Sequence, residues 1–130
     1  MNDGQWRTLL RTCARVLGAG EQLATASRSW CAWTTFESLR STLHYWSAGI
    51  PAEEYLGIAG TVDGGPWGQP FVYQELAHLV VPRTFYWERI ESSEFESGTR
   101  GQDLERLSQE LLLAGIEHRK SELVLEVKLY

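Results

Sequence analysis

The sequence predicts an α+β fold: a single domain over residues 1–130, in which a mostly antiparallel sheet is covered on one face by about three helices. Three observations carry this. Amphipathic segments with helix-cap residues come first, short β-rich segments punctuated by turn residues cluster in the middle, and a third amphipathic segment precedes one last alternating strand. A chain of 130 residues that is 43% hydrophobic can bury one core without staples. No internal repeat, low-complexity tract or linker divides it.

The first helix is read from "NDGQWRTLLRTCARVLGAG". Trp6, Leu9, Leu10, Cys13, Val16 and Leu17 recur at helical spacing, Asn2 or Asp3 supplies an N-cap, and Gly18 or Gly20 the stop. Arg7, Arg11 and Arg15 form a stripe on the opposite side, the ordinary pattern of a solvated face. "SRSWCAWTTF" reads as a short strand or a buried lead-in. In "TTFESLRSTLHYWSAGIP", Thr34 and Glu37 make a capping box and Phe36, Leu39, Leu43 and Trp46 share a face, which predicts a second helix ending at Gly49-Ile50-Pro51.

Strands are expected over Tyr55 to Val62, Phe71 to Gln74, Thr84 to Ile90 and Leu123 to Tyr130. Because Pro82 cannot donate to a central ladder, a strand is more easily placed after it than across it. "ESSEFESGTRGQ" is polar and serine-rich and reads as a loop. "QDLERLSQELLLAG" places Leu104, Leu107, Leu111 and Ala114 on one face before Gly115, a third helix.

The formal charge is −5, and it is uneven: through Gly65 five Lys/Arg face six Asp/Glu, and from Pro66 onward seven face eleven. A negative chain repels the phosphate backbone, so a nucleic-acid partner is not expected and a basic protein is the better fit. Cys13 and Cys31 belong to no CxxC pair and read as two reduced thiols, and the arginines in the N-terminal segment exclude a signal peptide or membrane span there. The expectation is a cytoplasmic protein that binds no membrane and carries no cofactor or metal.

"TVDGGPWGQPF" is the stretch most suggestive of a phosphate cradle, but such a cradle leads from a strand into a helix N-terminus, and the P-loop form also carries a lysine. Here Pro66 and Pro70 interrupt, no lysine is present, and a strand follows, so a hairpin connection turning at Asp63-Gly64 is expected, with Trp67 at its tip. His44, His78 and His118 lack metal-binding spacing. No nucleophile elbow accompanies a cysteine or serine, and Glu53-Glu54 and Glu94/Glu96 read as solvated carboxylates, so an enzyme is not expected. The most suggestive constellation joins Glu88, Glu91, Glu94 and Glu96 to Phe85, Tyr86, Trp87 and Phe95. It reads either as a charged strand face running into a solvated loop, or as an interaction surface whose aromatic anchors are ringed by steering charges.

A short, acidic, tryptophan-rich α+β chain of this kind resembles the immunity proteins of bacterial polymorphic-toxin and contact-dependent inhibition systems, a likeness of type carried by composition and by "HLVVPRTFYWE" and "GIEHRKSELVLEVKLY". The resemblance implies a protein that neutralises a cognate toxin by tight binding, with the acidic second half standing in for substrate phosphates. The partner-binding residues expected on this reading are Trp67, Trp87, Glu88, Glu91, Glu94 and Glu96, against a toxin domain with a basic surface. The alternatives are a small hydrolase or transferase whose residues converge only in space, favoured by a buried histidine beside a thiol or carboxylate near a deep pocket, and a self-associating regulator.

Overall fold

A computed structural model describes residues 1–21, 23–63 and 68–130, the side chains of Ala24 and Glu91 excepted. It is an α+β single domain. The main sheet has five antiparallel strands in the order β2-β1-β5-β9-β8, formed by β1 (Cys31–Thr35), β2 (Trp46–Ala48), β5 (Leu76–Pro82), β8 (Arg119–Lys120) and β9 (Val124–Lys128). Two separate hairpins complete the β structure: β3 (Gly60–Val62) with β4 (Pro70–Val72), and β6 (Thr84–Glu91) with β7 (Glu94–Gly101).

Helix α1 (Asp3–Leu17) begins with a complete capping box between Asn2 and Gln5 and ends at Gly18, whose φ of 96° a side chain would resist. Helix α3 (Leu104–Leu113) is capped by Asp103, and Gly115 at φ 75° turns the chain out of it. The two pack together over one sheet face. Trp33, Leu79 and Val127 stand opposite one another across three strands, as do Val81 and Leu125 across two. They are buried with Trp6, Leu9, Leu10, Leu104, Leu107 and Leu111 in one core. Side chains alternate along a strand, so Thr34, His78, Val80, Glu126 and Lys128 share the other face.

Four expectations need correction. The second helix, α2, covers only Phe36–Ser41 and is capped by Thr35, one residue beyond the expected Thr34. Thr34 and Ser38 instead give their hydroxyls to the His44 carbonyl, and Leu43 at φ 52° swings Trp46 into a strand opposite Trp33. A strand also lies before Pro82 and not only after it: Leu76–Pro82 is the middle strand of the main sheet, and Pro82 is its last residue, where the missing N–H interrupts nothing. Tyr55 to Val62 and Phe71 to Gln74 shrink to the three-residue strands β3 and β4, flanked by 3-10 turns at Glu53–Tyr55 and Tyr73–Glu75, and neither they nor Thr84 to Ile90 join the main sheet. The expected loop after Ile90 is the return strand β7.

The glycine-rich stretch does connect two antiparallel strands, Val62 pairing with Pro70. The Asp63-Gly64 turn and Trp67 lie outside the described residues at Gly64 and Trp67. Trp6 and Trp33 are core residues, and Trp46 and Trp33 meet Phe71 edge-on at 5.2 Å, fastening the β3–β4 hairpin to the sheet.

Cys13 and Cys31 are free and fully buried. Burial pushes the Cys13 thiol up to about 12 and raises that of Cys31 as well, so neither supplies a thiolate near neutrality. Alkylation by iodoacetamide should therefore be negligible in the native protein and complete once it is unfolded in denaturant, counted by mass spectrometry. A native cysteine that reacts as fast as free cysteine would contradict this packing.

Candidate functional site

The sequence between Pro82 and Gln102 folds as a two-stranded arm. Ser92 and Ser93 adopt φ values of 48° and 69°, the paired positive angles of the tight turn that matches strand twist, although serine is an uncommon choice there. The ladder runs without interruption from Thr84 opposite Gly101 to Glu91 opposite Glu94.

The arm is secured at its base. Phe85, 5% exposed, stacks on Trp30 with ring centroids 6.1 Å apart. Arg100 donates to the Ser27 carbonyl and lays its guanidinium over the Trp87 ring at 4.9 Å. Gln102 is the joint. Its amide oxygen accepts the Trp30 N–H at 2.9 Å, and its amide nitrogen donates to the carbonyls of Trp30 at 2.9 Å and Pro82 at 2.8 Å. Its own N–H donates to Arg83 at 2.7 Å, so this buried side chain is satisfied on every side that the fold presents to it.

Beyond the base the arm's two faces differ. Trp87 is half-buried on the inner face, above Gly98 and between Arg89 and Arg100, and Arg89 pairs with Glu96 at 2.6 Å. The outer face carries Tyr86, Glu88, Ile90 and Phe95, with Ile90 opposite Phe95. Tyr86 is 56%, Ile90 75% and Phe95 60% exposed, and the Tyr86 hydroxyl donates to Glu88 at 3.0 Å. None of these outer residues belongs to the core. A two-stranded hairpin is marginal alone in water, and the apolar side chains standing together on one face of it are covered by none of the described residues.

Of the six expected binding residues, the fold gathers Trp87, Glu88, Glu94, Glu96 and the ladder position of Glu91 on this arm, and Trp67 lies outside the described residues. The division between faces was not expected. It sets Trp87 among arginines and brings Tyr86, Ile90 and Phe95 forward; Ile90 was overlooked because its partner Phe95 lies in a segment read as loop. The Arg7, Arg11, Arg15 stripe is used within the molecule. Arg7 donates to the Ile58 carbonyl, Arg11 to both oxygens of Glu53 at 2.8 Å, and Arg15 pairs with Glu110 of α3 at 3.1 Å.

A second polar cluster occupies the open sheet face. The Tyr45 hydroxyl lies 2.7 Å from His78 Nδ1 and 3.4 Å from that of Tyr130, while His78 Nε2 is buried 3.4 Å from Glu126 Oε1, too poorly aligned for a full hydrogen bond. Burial lowers the His78 pKa despite Glu126, so at neutral pH the ring is uncharged and Nδ1 accepts from Tyr45. Burial and the bond to Tyr130 push Tyr45 up to about 12. Glu126 also lines a cleft of about 700 Å³ between the α3–β8 connection and β9.

The sign of the His78 effect is fixed by linkage: a folded-state pKa below the unfolded 6.5 means that the unfolded chain binds the proton more readily. Stability from this site is complete above 6.5 and is lost as pH falls from there through the lower folded-state value. Melting temperature should decline as pH is lowered from 7 toward 5 (about the span over which histidine titrates), and His78→Asn should flatten that decline. Parallel curves for the two proteins would remove His78 as its source. Glu105 acts at lower pH, because its bonds with Arg83 pull it down to about 2, and its contribution is lost only as pH falls below the ordinary 4.5.

The fold and this arm define a class: a small α+β domain carrying an anchored, two-faced hairpin. Compared with protein-family models, curated proteins and solved structures, the chain matches none. Among the described residues no helix is long and apolar enough to cross a membrane, and no three His, Cys, Asp or Glu side chains converge as a metal site.

Proposed function

We propose that this chain is a protein-binding module of the immunity type, which neutralises a cognate toxin by holding it on the β6–β7 arm. The observation that carries the reading is the outer face of the arm, where Tyr86, Ile90 and Phe95 stand exposed beside Glu88 on a ribbon anchored at its base. Apolar anchors at the centre of an interface supply affinity, and carboxylates around them speed encounter with a basic partner. Glu88 and Glu94 are exposed for that steering role, and Glu96 is drawn partly into its pair with Arg89.

The test takes the product of the gene adjacent to this one as the partner and follows binding by surface plasmon resonance. Ile90→Ser or Phe95→Ser should raise the dissociation rate by roughly thirtyfold, the equivalent of about 2 kcal/mol for a buried anchor. Reversing Glu88, Glu94 and Glu96 to Lys should slow association and flatten its salt dependence, since screening acts on the steering charges. A complex that forms with unchanged rates after all of these substitutions places the interface elsewhere.

A small enzyme is the second reading, favoured by the half-buried His78, whose buried Nε2 faces Glu126 beside the cleft. A turnover abolished by Glu126→Gln, with the melting temperature unchanged, would move the assignment to it. Light scattering of the isolated chain separates both from a self-associating regulator.

A further inference from the structure

The end of β9 is only half covered. Strand β8 pairs with it at Arg119 opposite Glu126 and Lys120 opposite Leu125, and there the pairing stops. The chain leaves the ladder because Ile116 is drawn into the core, 3% exposed, with its N–H bonded to the Leu111 carbonyl at 2.9 Å. His118 fixes that departure: Nδ1 lies 2.9 Å from the Ile116 carbonyl and Nε2 2.6 Å from the Ser108 hydroxyl. A cleft of about 700 Å³ lies beside this divergence, bounded by Met1 and Gln5 at the start of α1, by Leu112 and Glu117, and by Lys128 and Leu129 at the end of β9.

On the side of β9 away from β5, the main chain of Lys128 has no strand partner among the described residues. Leu129 donates its N–H to Ala77 at 2.9 Å, on the β5 side, and main-chain groups alternate along a strand. The N–H and C=O of Lys128 therefore point the other way, into the cleft. The Lys128 ammonium sits 4.6 Å over the Tyr130 ring and forms no ion pair among the described residues, whereas Arg119 and Glu126 face each other across the ladder.

We infer that this cleft binds an extended peptide as an added strand on β9, with an acidic residue opposite Lys128 and an apolar residue next to it. The paired residue exchanges main-chain hydrogen bonds with Lys128, which supplies affinity, and the alternation of side chains supplies the pattern. A side chain opposite Lys128 lies on the same face as its ammonium, where a carboxylate is the complementary group. The neighbouring side chain falls on the face of Leu129 and meets the exposed Leu112. The site uses no residue of the arm.

The probes are acetyl-Thr-Leu-Glu-Leu-Thr-amide, its copy with lysine in place of glutamate, and its copy N-methylated at the glutamate, each titrated into the full chain and followed by amide NMR. The first should give saturable shifts at Lys128 and along 115–119. Methylation removes the donor, and charge reversal opposes Lys128, so each should weaken binding at least about tenfold. Lys128→Glu should reverse the preference between the glutamate and lysine peptides. No saturation at millimolar peptide, shifts confined to other surfaces, or equal binding of the N-methylated copy would each overturn the assignment, and the peptide-side comparisons leave the protein unaltered.

Discussion

Gly49→Ala should destabilise the domain by about 3–5 kcal/mol, a fall in melting temperature of roughly 10–15 °C for a chain this size. The main chains at Gly20 and Gly49 cross in contact. Gly20 donates to Ile50 at 2.9 Å and Gly49 to Glu21 at 2.8 Å, and a Cβ on Gly49 would stand 2.3 Å from the Gly20 Cα. Backbone lies on both sides, so no side chain can swing away. Relief requires the two segments to part and both hydrogen bonds to lengthen, at about 1 kcal/mol each beyond the steric cost. Gly20→Ala should behave alike, because its Cβ meets the Gly49 Cα at 2.3 Å and the Ser27 hydroxyl at 2.6 Å. Gly101→Ala is the control: a Cβ there meets nothing within 4 Å, and the change should stay within about 0.5 kcal/mol. Urea unfolding of the three variants checks this, and a Gly49→Ala curve superimposed on wild type would refute the crossing.

Gln102→Ala should cost about 3 kcal/mol and loosen the arm before it unfolds the body. Truncation leaves the Trp30 N–H buried without its acceptor and deprives the Trp30 and Pro82 carbonyls of their donor, and a stranded buried polar group costs about 1–3 kcal/mol. Gln102→Glu should be worse at neutral pH, since a carboxylate would face two carbonyl oxygens, and should recover partly in acid when it regains a proton to donate. Hydrogen exchange separates local from global effects. Amides of β6 and β7 should lose protection in Gln102→Ala while those of β5 and β9 keep it; uniform loss would mean that Gln102 supports the whole core instead.

What the sequence made legible was what local patterning encodes. Helices α1 and α3 and strand β9 each bury one stripe of a periodic pattern, and the helices carry their own caps, so their places could be read closely. Helix α2 was overextended because Leu43 and Trp46 continue the apolar spacing, and nothing local announces that Thr34 and Ser38 will bind the His44 carbonyl. Strand β7 was hidden by exposure. A ribbon open to water on both faces has no buried stripe, and Ser92-Ser93 lacks the Asn-Gly signature of its turn. The acidic and aromatic residues of the arm were legible together because they are neighbours in the chain. The side chains that anchor it were not, since Gln102 and Arg100 reach partners more than seventy positions away at Trp30 and Ser27.

Anchoring the arm at its base has an evolutionary consequence. Positions 88–90 and 94–97 lie outside the packed interior, so substitutions there leave the free energy of folding almost untouched, whereas Phe85, Arg100 and Gln102 answer to the whole molecule. A lineage of such chains is free to exchange one recognition surface for another in a few steps without first acquiring spare stability. Divergence among descendants should therefore concentrate between the two strand midpoints and the serine turn, with the hinge residues held constant beneath it.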